Sequence, residues 1–264
     1  MRLGHGARIL SWAMPVLAFA GALLAWDLVV RLNGIPPFIL PAPALVAATL
    51  VSDWPILSAS LWVTLRTTLE ALVVATAGGV ALAVVFAQSR WIALSFYPFA
   101  VILQVTPIIA IAPLLLIYLS PDAAVLTCAF VVAFFPVLSN TLAGLTSVDP
   151  NLRDLFRLNR ASRLAELLRL RIPAALPSFL VGLRIAGGLA LIGAIVAEIA
   201  AGSSGQGSGL AYRIVEAGYR LNVPRMFAAL ALISIAGVVI YGSLALLSHV
   251  LLRRWHDSTV ARDG

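Results

Sequence analysis

The sequence is dominated by long apolar runs separated by short polar segments. A helix needs about 20 apolar residues to cross the roughly 30 Å hydrocarbon core of a bilayer. Six runs meet this requirement, at approximately residues 9–30, 67–88, 96–119, 123–145, 174–201 and 226–252. The pattern predicts an all-α polytopic membrane protein with six transmembrane helices. The first run is longer than the roughly 7–15 apolar residues of a cleaved signal peptide, so it is interpreted as a span.

Composition leads to the same fold class. The chain is 61% hydrophobic and 11% charged, whereas a soluble domain is roughly 45–50% apolar and about 25% charged. With a mean hydropathy of +1.02, too little polar surface remains to cover a water-exposed exterior. The net charge of +7 is explained by cytoplasmic arginines, and no nucleic-acid partner is expected.

The absence of lysine excludes several chemistries. All 18 basic residues are arginines, whereas a Walker A loop, a pyridoxal phosphate site and a Ser-x-x-Lys nucleophile each need a lysine. We expect no catalytic residues and no cofactor, so any ATP must be bound by another subunit. With a single cysteine, Cys128, and three scattered histidines, no metal site is expected either.

The arginines predict the orientation of the spans. Six spans with the N-terminus inside place twelve of the eighteen arginines in cytoplasmic segments and five outside, with Arg184 within a span. Positive charge favours the cytoplasmic side, so the prediction is N-in and C-in. Residues 1–8 form a cytoplasmic N-terminus, 9–255 a single transmembrane domain and 256–264 a cytoplasmic tail.

The inner segment 147–173 carries the clearest local pattern. Asp149 and Pro150 predict a helix start, with a break near residue 159. Ser162 predicts the N-cap of a second helix, residues 163–171, which Pro173 is expected to end. The apolar faces of two short amphipathic helices lie in the lipid interface or dock on a cytoplasmic partner. A basic loop that merely follows the orientation rule is the alternative.

The stretch DLFRLNRASRLAELLRLRIP in this segment resembles the EAA loop of ABC importer permeases, whose pattern is EAAxxxG, nine residues, then IxLP. Aligned on Pro173, Asp154 takes the position of the glutamate and Arg160 that of the glycine. Leu170 and Ile172 take the positions of the isoleucine and leucine. The acid is thus shortened and the glycine replaced by arginine.

Three further stretches resemble permeases for taurine, aliphatic sulfonates, nitrate and thiamine precursors. They are FILPAPALVAATL at 38–50, QVTPIIAIAPLLLIYL at 104–119 and PSFLVGLRIAGGLALIGAIVAEI at 177–199. Together with the inner segment, the resemblance covers roughly residues 36–255.

The resemblance implies a permease subunit of an ATP-binding-cassette importer in the bacterial plasma membrane. It implies a homodimer, two cytoplasmic ABC ATPase subunits and a periplasmic or lipid-anchored solute-binding protein. The inner segment is then a cytoplasmic helix-turn-helix coupling loop of the EAA type. Its expected coupling residues are Asp154, Arg157, Arg160, Ala161, Ser162, Leu164 and Pro173. A secondary transporter or channel not driven by ATP is the alternative.

Polar positions within the spans are candidates for the translocation pathway. Arg184 lies near mid-membrane, where a guanidinium is costly toward lipid and is expected to face a cavity or a partner. Glu198 is expected near the outer interface, and Gln104, Thr106 and Pro107 at a proline-weakened stretch. The alternatives are structural: pairing of Arg184 with Glu70, or with a Glu198 across the dimer, and a simple proline kink.

Overall fold

A computed structural model describes residues 5–202 and 207–253, with side chains from residue 13 onward. Every regular element in these ranges is helical. The elements in chain order are α1 (His5–Leu32), α2 (Pro43–Ser52), α3 (Trp54–Gln88), α4 (Arg90–Val105), α5 (Ile108–Tyr118), α6 (Pro121–Thr146), α7 (Pro150–Leu158), α8 (Arg163–Glu166), a π-helical turn (Leu167–Arg171), α9 (Ile172–Ala201), α10 (Leu210–Tyr219) and α11 (Val223–Leu252). The predicted tail, residues 256–264, lies outside the described residues.

Five helices are long and apolar enough to cross a membrane: α1, α3, α6, the continuous stretch from α8 to α9, and α11. The pair α4 and α5, bent by 97°, is either a sixth, broken span or a re-entrant loop, so the described chain has five or six crossings. The all-helical polytopic fold predicted from the apolar runs is therefore confirmed. Trp26 near the end of α1 packs against Phe227 near the start of α11, with ring centroids 5.5 Å apart.

The third predicted span, 96–119, is not one continuous helix. The chain leaves helical geometry at Thr106 and Pro107, whose ψ angles are 124° and 116°. Proline lacks an N–H and disfavours a helical residue before it, so a break at this position is physically expected. The Thr106 N–H and hydroxyl both donate to the carbonyl of Ile102, at 3.1 and 2.6 Å, at the end of α4.

The second predicted span, 67–88, begins too late. The helix starts at Trp54 and runs for 35 residues, or about 52 Å. The sequence places residues 54–66 in a polar connection, but Ser60 and Thr64 within this stretch are buried. Their hydroxyl groups bond to other parts of the protein, so this stretch is a packed helix rather than an exposed connection.

The core is built on the antiparallel packing of α6 against α9. A Cβ added at Gly182 would lie 2.6 Å from the Pro136 carbonyl oxygen, and one at Gly193 would lie 2.8 Å from the Cα of Ala129. Small residues allow this backbone approach, which is how transmembrane helices gain packing energy in lipid. Helix α3 packs against both α6 and α9, and its Ala75 is fully buried between them.

The two ends of the helix bundle carry different structures. At one end, here the hairpin end, Arg171 contacts Ala87 at the close of α3, and Gly144 touches Ala175. At the opposite end, Thr64 contacts Glu198. The segment 147–171 and the turn between α3 and α4 therefore lie together, away from α10. That the hairpin end faces the cytoplasm remains a prediction from the arginines.

Candidate functional site

The segment 147–173, here the hairpin segment, folds as two helices joined by a turn. The Asp149 carboxylate accepts a hydrogen bond from the Asn151 N–H at 2.8 Å and caps α7. The Ser162 hydroxyl accepts from the Ala165 N–H at 3.1 Å and caps α8. Both predicted caps are confirmed, because these short side chains satisfy N–H groups that a helix start leaves unpaired.

The turn retains a glycine-like backbone although it contains no glycine. Arg160 has φ of +52°, at the position where the resembled pattern carries glycine. The Ala161 N–H donates to the Phe156 carbonyl at 2.9 Å, the long-range bond of a Schellman helix ending. A side chain with positive φ is strained, so Arg160 occupies this position against its local preference.

Pro173 does not end the second helix, contrary to the sequence prediction. The chain continues from α8 through the π-helical turn into α9, with the Ile172 N–H donating to the Leu167 carbonyl. A proline ring within an α-helix clashes with the carbonyl four residues earlier, here that of Arg169. The wider π turn accommodates Pro173, so the hairpin segment is a direct extension of a membrane-spanning helix.

The hairpin segment exposes apolar side chains that nothing in the described chain covers. Leu158 is 82% exposed and Leu164 62% exposed, and α7 has no buried residue. Asp154 and Arg157 form an exposed ion pair at 3.3 Å. An amphipathic surface of this kind is suited to a groove on a partner.

An ion cluster beneath the turn was missed by the sequence analysis. The Glu166 carboxylate accepts from Arg153 at 3.1 Å and from Arg171 at 2.7 Å, so it links α7 to the π turn. One signal was present in the sequence: Glu166 is the single carboxylate between Asp154 and Glu198, a stretch that contains six arginines.

Arg184 is a partly buried cation on α9 without a carboxylate partner in the described chain. Its Nε is buried with no hydrogen-bond partner there, and its guanidinium carbon lies 5.8 Å from the centre of the Tyr241 ring. Pairing with Glu70 is wrong, because Glu70 bonds to Arg66 at 2.8 Å. Attraction to an aromatic face compensates only part of the cost of a cation at this depth.

Glu198 lies in the interior of the opposite end, 5% exposed. Its Oε1 accepts from the Thr64 hydroxyl at 2.8 Å and its Oε2 from the Ala211 N–H at 3.1 Å. The Thr64 oxygen in turn accepts from the Leu210 N–H at 2.9 Å. The side chain thus points at the start of α10, whose first N–H groups have no helical partner.

The three remaining candidates lie at the break between α4 and α5. Gln104 and Pro107 are exposed, and Thr106 is half-buried with its hydroxyl directed to Ile102. No described hydrogen bond joins these residues to Arg184 or Glu198, so the chain alone does not assemble the five pathway candidates into one cluster.

Comparison with known proteins identifies the family. Residues 75–256 match the family described as "Binding-protein-dependent transport system inner membrane component". A probable ABC transporter permease protein of Haemophilus influenzae is 34% identical over 236 residues, which cover 89% of this chain and 95% of that protein. The formylaminopyrimidine transport permease protein ThiX of Halalkalibacterium halodurans is 29% identical, covering 90% of this chain and 94% of the relative.

Two further similarities agree with this family. The putative aliphatic sulfonates transport permease protein SsuC of Bacillus subtilis is 27% identical over 98% of this chain and 93% of its own length. A solved structure described as "Crystal structure of an amino acid ABC transporter with histidines" gives a TM-score of 0.63 at 20% identity, covering 76% of this chain and 97% of that one. At this identity the likeness shows the fold alone.

The resemblance found in the sequence is therefore confirmed by the family match and by full-length relatives. The family implies an ABC ATPase and a solute-binding protein as general partners. The chain belongs to the binding-protein-dependent transport system inner membrane components and is the permease subunit of an ABC importer in the plasma membrane.

Proposed function

We propose that this chain forms the translocation pathway for a small solute delivered by a binding protein, and that its hairpin segment docks on a separate ATPase that binds the ATP. The observation that carries the proposal is the continuity of the hairpin segment with α9 through the π turn. A partner that moves the hairpin segment would move a membrane-spanning helix directly. The chain has no lysine with which to build a Walker A site of its own.

The proposed ATPase contacts lie on the exposed side of the hairpin segment. Residues 154–164 include the exposed ion pair of α7, the strained turn and the first turn of α8. An apolar side chain such as Leu164 would enter a groove, and the arginines around it would meet acidic groups at the rim. The contact residues are Asp154, Arg157, Arg160, Ala161, Ser162 and Leu164. Pro173, at the start of α9, would set the winding that joins α9 to the hairpin segment.

Removal of residues 154–164 tests the docking. The shortened chain should still insert in the membrane, because the apolar helices that drive insertion are intact. It should lose the ATP hydrolysis that the loaded binding protein stimulates in the reconstituted complex. Stimulated hydrolysis at the level of the full chain would refute the docking surface. Uptake by the full chain without any ATPase would instead support a secondary transporter or channel.

A homodimer would cover the exposed side of α9. Val181, Ile185 and Ile192 are each about half-exposed there, and Gly188 has no neighbouring atom within 4 Å of an added Cβ. Arg184 lies four residues before Gly188, so the two share one face of the helix. Since a guanidinium facing lipid at mid-membrane is costly, we place this face against a second copy, with the Arg184 guanidinium reaching the water-filled pathway beside the contact.

Cysteine cross-linking tests the dimer. Gly188→Cys in a Cys128→Ala background should form an intermolecular disulfide in membranes, because a side chain at 188 fits without displacing a neighbour. Gly242→Cys on α11, which also has open space around it, is the matched control and should remain monomeric on a denaturing gel. Equal cross-linking at both positions would contradict the proposed dimer face.

The remaining pathway candidates would line the same cavity near the break between α4 and α5. Gln104 and the carbonyl groups freed by Pro107 offer polar groups to a solute. Glu198 would act from the outer end by holding α10 in place. The relatives carry names for formylaminopyrimidine, riboflavin and aliphatic sulfonate transport, so we propose a small organic solute whose identity the binding protein selects.

A further inference from the structure

The hairpin segment is tied to the membrane helices through the carboxylate of Glu166. Its Oε1 accepts from the Nε of Arg153 on α7 at 3.1 Å. The same oxygen accepts from Nε and Nη2 of Arg171 at 2.8 and 2.7 Å. The Nη1 of Arg171 donates to the Ala87 carbonyl, at the end of α3, at 3.1 Å. One acidic group thus connects α7, the π turn and, through Arg171, α3.

The π-helical turn makes this connection possible. Arg171 follows Glu166 by five positions, whereas in an α-helix the residues that share a face are three or four apart. The wider winding between Leu167 and Arg171 brings the two side chains together. Both are withdrawn from solvent, with side-chain exposures of 13% for Glu166 and 14% for Arg171.

Helix α7 has few other attachments. None of its residues is buried, and its Asp154–Arg157 ion pair joins two residues of the same helix. Among the described residues, the bond from Arg153 to Glu166 is the ion pair that reaches from α7 to another element. Without it, a force on α7 would be absorbed by movement at the turn around Arg160.

We propose that Glu166 is a positioning residue that transmits displacement of α7 to α9 and α3, an inference that rests on the proposed docking of the hairpin segment on the ATPase. With the cluster intact, α7, α8 and the π turn move as one body. The motion then reaches α3 through the bond between Arg171 and Ala87. Loss of the cluster separates docking from transmission, because the exposed contact residues remain in place.

The test uses the complete transporter in lipid nanodiscs and proteoliposomes. We expect Glu166→Gln to remain bound to the ATPase and to hydrolyse ATP without stimulation at a rate within about twofold of the wild type. The rate stimulated by the loaded binding protein should fall about tenfold. Solute uptake should fall in parallel. Glu70→Gln, in the exposed pair with Arg66, is the matched control and should keep both activities.

A second pair of variants separates charge from packing. Arg153→Gln removes the cation that bonds to Glu166 and should uncouple transport, whereas Arg153→Lys keeps a cation and should restore coupling. Arg153 is 35% exposed, so both variants are expected to fold. If the Arg153→Lys and Arg153→Gln variants show the same stimulated hydrolysis and the same uptake, the charge pair does not transmit the displacement and the inference is wrong.

Distance measurement gives a readout that is independent of transport. Spin labels at Asn151→Cys, which is exposed on α7 outside residues 154–164, and at Gln88→Cys in a Cys128→Ala background report the separation of α7 from the end of α3. Glu166→Gln should broaden the distance distribution, and an unchanged distribution would overturn the inference. Loss of ATPase binding in Glu166→Gln would overturn it as well, because Glu166 would then act in docking. Absence of stimulation in the wild type would refute the proposed function instead.

Discussion

Thr64 and Glu198, on different membrane-spanning helices, meet through a 2.8 Å hydrogen bond at the end of the bundle opposite the hairpin segment. Both side chains also bond to the first N–H groups of α10, at Leu210 and Ala211. Helix starts are normally capped by a residue next to them in sequence. Here two distant residues cap α10, so its position depends on how α3 and α9 pack.

Thr64→Val should therefore release the start of α10. The variant keeps the shape of the side chain but leaves the Glu198 oxygen and the Leu210 N–H without their partner, at a cost of about 1–3 kcal/mol for buried groups. We expect a lower unfolding temperature and faster trypsin cleavage after Arg213 or Arg220. Thr49→Val, whose hydroxyl bonds within exposed α2, is the control. Equal stability of the two variants would contradict the capping role.

The pH dependence of α10 should follow Glu216. The hydrogen bond from Arg213 holds the pKa of the Glu216 carboxyl below its ordinary value. A group whose pKa is lowered by folding stabilises the protein above the unfolded pKa, about 4.3 for glutamate, and loses this contribution as the pH falls through the folded pKa. Acidification below about pH 4 should therefore loosen α10 in hydrogen-exchange measurements.

Glu216→Gln provides the control for this pH effect. The amide cannot titrate, so the difference between variant and wild type should shrink as the pH falls through the folded pKa of Glu216. A difference that stays constant over the acidic range would show that Glu216 does not govern this response.

The close approach of α6 and α9 predicts a strict size limit at Gly182. A methyl group there would lie 2.6 Å from the Pro136 carbonyl oxygen, and neither helix backbone can move away cheaply. Gly182→Ala should destabilise the permease by about 1–3 kcal/mol through overpacking. Gly242→Ala, with no atom within 4 Å, should be neutral or slightly stabilising, since alanine favours helix. Thermal unfolding of the two detergent-solubilised variants measures the contrast.

The apolar runs predict most of the bundle but not its irregularities. Periodicity locates the helices, and the cap residues Asp149 and Ser162 are recognisable because capping is a local interaction. The 97° bend between α4 and α5 is not local, since a proline can kink a helix or break it according to what packs around it. Similarly, Pro173 predicts the end of a helix in the sequence, yet in the structure the helix continues through the π turn into α9.

The early start of α3 and the Glu166 cluster were missed because their polar groups are satisfied by distant residues. Ser60 accepts a hydrogen bond from Arg213 at 2.9 Å across 153 positions, so a stretch that looks like a loop is a helix with one buried face. The charge of Glu166 is visible in the sequence, but its choice of Arg153 and Arg171 depends on the turn and the π winding. Pairs between residues that are distant in the chain leave no periodic pattern in the sequence, so the pattern of apolar residues does not predict them.

The strained turn offers a direct stability test. Arg160→Gly removes the strain of a side chain at φ +52° and should stabilise the isolated permease by about 1 kcal/mol. Arg160→Ala keeps the strain and should not. Hydrogen exchange at residues 159–162 distinguishes the two, because slower exchange follows greater local stability. If both variants slow exchange equally, the arginine side chain rather than the backbone is the source of strain.

Pro173 should set the winding that aligns Glu166 with Arg171. In Pro173→Ala the new N–H can bond to the Arg169 carbonyl, so the π turn can relax to an α-helix. Arg171 would then rotate away from Glu166, and we expect stimulated ATP hydrolysis and uptake to fall while thermal stability stays equal or rises. Pro177→Ala, one turn further along α9 and outside the π turn, is the matched control and should keep transport. Full coupling in Pro173→Ala would show that the helix transmits motion without the π turn.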